Sequence, residues 1–253
     1  MFCRLALIVM LAAYLSQIKG DVRLAHVVRA TVIGVIPMFL VFVQPDIGTS
    51  IVLAAILVGQ LVVSGTRARY LAVLALTALI AIFGAFDLHI IKDYQVQRIT
   101  GFFQSDKNLQ TANYNRQQAE IAIGSGGLTG KGYLHGTQTN LDFVPEQHTD
   151  FIFTVVGEEL GFVGSMVLLL LFALLLWRIF RTARLSKDPF GTFVAVGVGT
   201  MIAIQVFVNI GMNVGIMPIT GIPLPFLSYG GSALIADFIG IGLVLNVHMR
   251  RFA

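Results

Sequence analysis

The run GFVGSMVLLLLFALLLWRIF, residues 161–180, decides the fold class. A helix needs about 20 consecutive apolar residues to cross the ~30 Å hydrocarbon core of a bilayer, and this run has that length. Seven apolar segments occur along the chain: 3–17, 27–43, 49–64, 70–91, 161–180, 190–212 and 231–247. The sequence therefore predicts an all-α, polytopic membrane protein. We expect residues 1–253 to form one integral membrane domain, with a large outer loop, 92–150, that holds short and re-entrant helices.

The composition favours the same class. Of the 253 residues, 56% are hydrophobic and 12% are charged, whereas about 25% are charged in a typical soluble domain. The mean hydropathy is +0.83. The net charge of +4 does not indicate nucleic-acid binding, because the basic residues form short clusters between apolar runs. Cys3 is the single cysteine, so it excludes an intramolecular disulfide and is predicted to be a small buried hydrophobe.

The basic residues predict the orientation. Lys and Arg concentrate in the cytoplasmic loops of membrane proteins. Here they recur in alternate loops: Lys19, Arg23, Arg29, Arg67, Arg69, Arg178, Arg181, Arg184, Lys187, Arg250 and Arg251. The opposite short loops, 44–48 and 213–229, carry none. The C-terminus is therefore predicted to be cytoplasmic and the long loop to be outside.

A polar run leads into the fifth apolar segment. Residues 124–161 read GSGGLTGKGYLHGTQTNLDFVPEQHTDFIFTVVGEELG. Polar groups placed where a chain meets the bilayer are costly and usually functional. A carboxyl group at that junction, such as Asp150, is expected to be partly removed from water, and such desolvation favours the protonation behaviour of a general base. The alternative is that Thr149 or Asp150 caps the helix that follows.

Two glutamates interrupt this run before Gly161. Glu158 and Glu159 predict that residues 151–160 form a half-buried or re-entrant segment, with the full crossing only after Gly161. Earlier in the run, the GSGG turn at 124–127 ends a short helix. Its backbone amides either bind phosphate oxygens, with Lys131 adding charge, or form a flexible turn, and glycine content alone favours the turn.

Four further features lie outside this run. Asp46 is predicted to cap the helix after it. The run PITGIPLPFLSYGGS, residues 218–232, contains Pro223 and Pro225 and cannot be a regular helix, so we expect a wall that dips toward the membrane beside the polar loop. Asp237 is expected to face a helix partner or a cavity rather than lipid. Glycines in segment 190–212 predict close helix contacts.

Four motifs together resemble a known family. QPDIGTS, GSGGLTGKGYLHGTQ, FVPEQHTDFIFTVVGEELGF and MPITGIPLPFLSYGGSAL occur in the order found in the SEDS (shape, elongation, division and sporulation) family, and GTQTNLDFVPEQHTDF is similar to its elongation branch. The resemblance covers essentially the whole chain. Family members have ten spans, and the segment resembling FCRLALIVMLA normally opens with Pro-Ser-Glu. The resemblance thus leads us to expect that this chain is an N-terminally truncated form.

The resemblance implies a peptidoglycan glycosyltransferase. Such enzymes polymerise lipid II into glycan strands on the outer face of the bacterial cytoplasmic membrane during elongation. Their partner is a class B penicillin-binding protein. The essential aspartate of the family falls on Asp150, which the resemblance makes the general base or the group that positions the acceptor hydroxyl. The alternatives are a lipid II flippase and a non-catalytic membrane partner of a penicillin-binding protein.

The reaction also requires groups that hold the substrate. A sugar hydroxyl attacks an anomeric carbon that carries a polyprenyl diphosphate, so positive charge is needed at the leaving diphosphate. The predicted substrate-binding residues are Arg4, Arg98, Arg116, Lys131, Gln138, Glu146, His148 and Ser228. The GSGG amides and a divalent cation are further options for the diphosphate, and no protein metal site is predicted.

Overall fold

The structure is a computed structural model that describes residues 1–18, 20–44, 46–87, 110–140 and 148–251. Within these ranges it contains nine α-helices and no strand, so the all-α prediction is confirmed. The helices are α1 (Phe2–Ser16), α2 (Leu24–Val43), α3 (Ile47–Val63), α4 (Ala68–Asp87), α5 (Gln110–Ser125), α6 (Thr137–Asn140), α7 (Ile152–Leu185), α8 (Pro189–Asn213) and α9 (Gly231–Arg250).

Each predicted span coincides with an apolar helix. By length and composition, α2, α7, α8 and α9 are able to cross a membrane. Shorter apolar helices are α1, α3 and the part of α4 over Ala68–Ala81. The predicted segment 70–91 ends outside the described residues. Asp46 accepts a hydrogen bond from the Thr49 amide (2.8 Å), which confirms the predicted cap of α3.

The chain divides into two compact units. The first comprises Met1–Gln95, Arg178–Ile202 and Phe238–Ala253, and the second comprises Val96–Trp177 and Ala203–Asp237. Helices α7, α8 and α9 each contribute residues to both units.

Close helix packing holds the first unit together. Helices α1, α2 and α3 pack against one another. Gln60 of α3 is fully buried, and its Nε2 donates to the carbonyls of Ile8 (3.1 Å) and Phe193 (2.9 Å). A Cβ on Gly197 would lie 2.6 Å from the same Nε2, so α8 approaches α3 closely. The predicted contact role of glycine in this segment is therefore confirmed. Cys3 is half-buried rather than buried.

A helix break shapes the second unit. Gly161 lies within α7 at φ 66° and ψ −162°, which is not helical. Residues 152–160 therefore form a short helix, and residues 162–185 form a separate apolar helix. Phe153 and Glu158 in the short helix and Phe151 just before it are buried, whereas most of the apolar window in α7 is exposed. The predicted separation of a partly buried segment from the apolar helix after Gly161 is confirmed, and the membrane crossing after Gly161 stays a prediction.

Candidate functional site

A Gly-rich loop, residues 126–136, closes the first side of the break in α7. The last carbonyls of a helix have no partner within it. Here the backbone amides of Lys131 and Gly132 donate to the carbonyls of Glu158 and Glu159, both at 3.0 Å. The loop therefore satisfies the end of the short helix, and unsatisfied carbonyls are particularly costly in a membrane protein.

The same loop closes the second side of the break. The first amides of a helix are also without partners. Phe162 N donates to the Gly127 carbonyl (2.9 Å), and Val163 N donates to the Leu128 carbonyl (3.1 Å). The loop thus supplies backbone amide donors to the helix that ends before Gly161 and carbonyl acceptors to the helix that begins after it.

Glycine is required where the loop meets the break. A Cβ on Gly126 would overlap the Gly157 carbonyl oxygen, and a Cβ on Gly130 would overlap that of Glu159. Gly130 also has φ 79°, a conformation that residues with a side chain rarely adopt. The Gly126 amide already donates to the Ile123 carbonyl (3.2 Å). Close packing is therefore the observed role of these glycines, and sequence analysis missed it.

Glu158 is the polar centre of this contact. Its side chain is 0% exposed, and Oε1 accepts hydrogen bonds from Lys131 Nζ (2.7 Å), Thr137 N (2.8 Å) and Gln138 N (2.9 Å). A buried carboxylate is tolerated when it is paired and fully hydrogen-bonded. The interruption of the apolar run was visible in the sequence, but this role of Glu158 was not predicted.

Two predicted substrate-binding residues thus lie in one cluster around Glu158. Lys131 is 27% exposed, and its ammonium group donates to Thr137 Oγ1 (2.6 Å) as well as to Glu158. Gln138 lies at the start of α6, where its amide contacts the same carboxylate oxygen. Their contact with substrate stays a prediction.

Asp150 lies in the turn formed by residues 148–151, directly before α7. Its side chain is half-buried. Its backbone carbonyl accepts from Asn209 Nδ2 (2.8 Å) and Asn213 Nδ2 (3.3 Å), and both asparagines are 0% exposed. Two buried amides of α8 therefore fix the backbone of the predicted catalytic residue. Sequence analysis did not select either asparagine.

The neighbour of Asp150 anchors the turn from another direction. Phe151 is 2% exposed and packs with Ala119 and Ala122 of α5. Ile219 covers the same cluster from the connection between α8 and α9. Small residues on α5 thus admit a large aromatic side chain, which holds the turn against that helix.

The connection between α8 and α9, here called the strap (residues 214–230), is irregular along its length, as predicted. The Tyr229 amide donates to the His148 carbonyl (2.8 Å), so the strap lies beside the polar run. Ser228 is 2% exposed, and its Oγ accepts from Leu224 N (2.8 Å). The predicted contacts of His148 and Ser228 with substrate stay predictions.

The remaining predicted substrate-binding residues are Arg4, Arg98, Arg116 and Glu146. Arg116 forms an ion pair with Glu120 (2.8 Å) on α5. Arg4 is buried in the first unit, where it donates to Thr49 Oγ1 (2.9 Å). Arg98 and Glu146 lie outside the described residues.

Two further expectations concern acidic groups. Asp237 is 3% exposed, which confirms that it does not face lipid. Among the described residues, no group of three or more His, Cys, Asp or Glu side chains is placed to hold a metal ion. A divalent cation at the diphosphate stays an option that rests on the chemistry of the reaction.

Comparison with known proteins identifies the class. The family model FTSW_RODA_SPOVE, described as a cell cycle protein, matches residues 1–252. The peptidoglycan glycosyltransferase MrdB of Escherichia coli (strain K12) is 43% identical over 250 residues, which cover 98% of this chain and 67% of that protein. Stage V sporulation protein E of Bacillus subtilis (strain 168) is 38% identical over 248 residues, which cover 97% of this chain and 67% of that protein.

Solved structures show the same architecture. A chain in a structure of a peptidoglycan synthase complex, which concerns the coordination of polymerization and crosslinking, is similar with TM-score 0.77 and 30% identity, covering 98% of this chain and 69% of that one. The rod shape determining protein RodA of Thermus thermophilus is similar with TM-score 0.66 and 31% identity, covering 99% of this chain and 64% of that one.

The chain belongs to the FtsW/RodA/SpoVE family of multi-pass membrane proteins. The comparisons confirm the family resemblance and the expected enzyme class, a peptidoglycan glycosyltransferase.

Proposed function

We propose that this protein polymerises lipid II into glycan strands during cell elongation, with Asp150 as the catalytic base. The observation that carries the proposal is the anchoring of the Asp150 turn by two fully buried asparagine amides of the predominantly apolar helix α8. Polar side chains buried in membrane helices are usually functional. The elongation role rests on the resemblance of GTQTNLDFVPEQHTDF to the elongation branch of the family and on the likeness to the rod shape determining protein RodA of Thermus thermophilus.

The reaction is a single inverting displacement. The Asp150 carboxylate accepts the proton of the acceptor 4-hydroxyl as that oxygen bonds to the anomeric carbon. The bond between this carbon and the diphosphate oxygen breaks, and the polyprenyl diphosphate leaves with its electron pair. Asp150 is therefore protonated at the end of the step and must release its proton before the next one.

Positive charge stabilises the leaving diphosphate. Arg98 and Arg116 are the proposed partners, because a guanidinium group pairs well with phosphate oxygens. Lys131 shares its charge with Glu158, so its contribution depends on that pair. The proposed roles of Gln138, Glu146, His148 and Ser228 are to hold the sugars and the peptide.

The charge pattern supports an outward-facing site. Residues 162–185 form a helix about 36 Å long at 1.5 Å per residue, which is enough to cross the hydrocarbon core. Arg178, Arg181 and Arg184 lie near its C-terminal end, which the positive-inside rule assigns to the cytoplasm. Asp150 precedes the opposite end of α7 and is thus assigned to the outer face of the cytoplasmic membrane. The C-terminus is assigned to the cytoplasm.

The proposed partner is a class B penicillin-binding protein that crosslinks the strands. Support comes from the similar chain found in a peptidoglycan synthase complex. Such a complex places polymerisation and crosslinking in one assembly.

The proposal is tested with purified full-length protein that is given lipid II in detergent. Detergent micelles have no two sides between which lipid II could be transported, so any polymer reports enzymatic activity. We expect glycan chains that lengthen with time, with the partner added if the protein alone is slow. Absence of polymer, together with lipid II transfer across vesicle membranes, would show a flippase instead. Absence of both activities, with binding to the penicillin-binding protein retained, would show a non-catalytic partner.

A further inference from the structure

We infer that Asn209 is a positioning residue that joins the Asp150 turn and the strap into one unit. Its Nδ2 donates to two backbone carbonyls, those of Asp150 (2.8 Å) and Ile222 (2.7 Å). These carbonyls belong to segments far apart in sequence. This inference rests on the proposed role of Asp150 in catalysis.

The orientation of the two amides is fixed by their neighbours. Asn213 lies one turn beyond Asn209, and its Nδ2 faces three oxygens: the Asp150 carbonyl (3.3 Å), the Asn209 carbonyl (2.8 Å) and Asn209 Oδ1 (3.2 Å). Rotating the Asn213 amide by 180° would bring its own oxygen against these three acceptors. Asn209 Oδ1 in turn accepts a hydrogen bond from Asn213 Nδ2, which fixes the orientation of the Asn209 amide. Both Nδ2 hydrogens of Asn209 are therefore directed at the two carbonyls.

The Asp150 carbonyl depends on these side chains. Helix α7 begins at Ile152, and the Thr154 amide donates to the Phe151 carbonyl (2.9 Å) rather than to that of Asp150. The Asp150 carbonyl therefore lies before the first backbone hydrogen bond of α7. Asn209 and Asn213 donate to it at 2.8 and 3.3 Å, so the Asn209→Ala variant loses the shorter of these two hydrogen bonds. Movement of this peptide group moves the attached carboxylate as well.

A second link ties the strap to the same turn. The Tyr229 amide donates to the His148 carbonyl (2.8 Å), two residues before Asp150. The strap is thus held at Ile222 by Asn209 and at Tyr229 by the turn itself. Loss of Asn209 should release the strap and the turn together.

Gln60 provides a matched control in the other unit. It is also fully buried, and its amide nitrogen also bridges two backbone carbonyls, at 3.1 and 2.9 Å. The variants Asn209→Ala and Gln60→Ala therefore remove the same kind of contact. A structural role alone predicts equal effects, whereas a positioning role predicts a catalytic effect for Asn209 only.

The test compares wild type, Asn209→Ala, Asn213→Ala and Gln60→Ala, each expressed from the complete gene and purified with its partner. Steady-state rates are measured at varied lipid II concentrations and divided by the concentration of monodisperse protein, which gives kcat and KM. We expect Asn209→Ala to lower kcat by about 10- to 100-fold with KM within about twofold, since displacement of a catalytic group by about 1 Å has an effect of this size. Asn213→Ala should have a smaller effect because its bond to Asp150 is longer.

Hydrogen exchange supplies a readout that does not require activity. Asn209→Ala should accelerate exchange by at least about tenfold in peptides covering both 148–154 and 222–229, and Gln60→Ala should accelerate neither. Equal loss of kcat in Asn209→Ala and Gln60→Ala would overturn the inference, as would faster exchange in only one of the two segments. If wild type forms no polymer, the proposed function fails, and the exchange pattern alone decides whether Asn209 joins the two segments.

Discussion

The variant Glu158→Ala tests the packing of the Gly-rich loop against the break in α7. It removes the acceptor of Lys131 Nζ, Thr137 N and Gln138 N in one step. Removing one partner of a buried ion pair destabilises a protein by about 3–5 kcal/mol. Lys131 is 27% exposed and can turn toward water, so we expect a value near the lower end, about 3 kcal/mol.

This energy predicts a measurable shift in melting temperature. For a chain of this size, each kcal/mol lowers Tm by about 2–4 °C, which gives a decrease of about 6–12 °C. Fluorescence-detected size-exclusion chromatography after heating in detergent measures the apparent Tm. Limited proteolysis after Lys131 should also accelerate, because the loop is released from the helix break.

Glu159→Ala is the matched control. Glu159 is the adjacent carboxylate and is also buried, but its side chain accepts no hydrogen bond from the part of the chain that the structure describes. We expect its Tm to change by less than about 3 °C, since no ionic contact of this kind is lost. Equal shifts for the two variants, or an unchanged Tm and cleavage rate for Glu158→Ala, would refute the role assigned to Glu158.

Two further substitutions test local packing. Gly126→Ala should destabilise the protein by about 1–3 kcal/mol, because its Cβ would overlap the Gly157 carbonyl. Gly124→Ala is the control: no atom lies within 4 Å of its Cβ, so the apparent Tm should stay within about 2 °C of wild type. Similar Tm values for the two variants would contradict the close contact at Gly126. Asp46→Ala should lower the free energy of unfolding by about 1 kcal/mol, because the 2.8 Å hydrogen bond from Thr49 N is lost. Asp46→Asn should retain most of that stability, since asparagine also caps helices. Equal apparent Tm values for Asp46→Ala and wild type would show that the cap contributes nothing.

Local features of the chain could be predicted from the sequence. The spans follow from apolar length, the cap at Asp46 from its place before an apolar run, and the irregular strap from Pro223 and Pro225. The break at Gly161 followed from two carboxylates beside a glycine in an apolar run. Each of these depends on residues that are close together in sequence.

The contacts that build the candidate site are non-local. Glu158 bonds to Thr137, 21 residues earlier, and Asn209 bonds to Asp150, 59 residues earlier. A sequence pattern does not specify which distant backbone groups meet. The glycine turn shows the same limit, because its glycines serve close approach to another segment rather than local flexibility.

One usable signal in the sequence was overlooked. Gln205, Asn209 and Asn213 lie four residues apart in an apolar helix, so they share one face. Amides on one face of a membrane helix usually point into the protein, and all three are 0% exposed. This spacing indicated that the face contacts a polar segment. At two of the three positions, Asn209 and Asn213, that segment is the Asp150 turn.

The most direct test of the central claim is the rate of lipid II polymerisation by Asp150→Asn. Asp188→Asn is the matched control, because Asp188 caps α8 through the Gly191 amide (3.1 Å) and accepts from Ser186 Oγ (3.3 Å), and asparagine caps equally well. Loss of a general base should lower the rate by about 10²–10⁴-fold with unchanged membrane insertion, while Asp188→Asn retains the wild-type rate. Polymerisation by Asp150→Asn at the wild-type rate would contradict the assignment of Asp150 as the catalytic base.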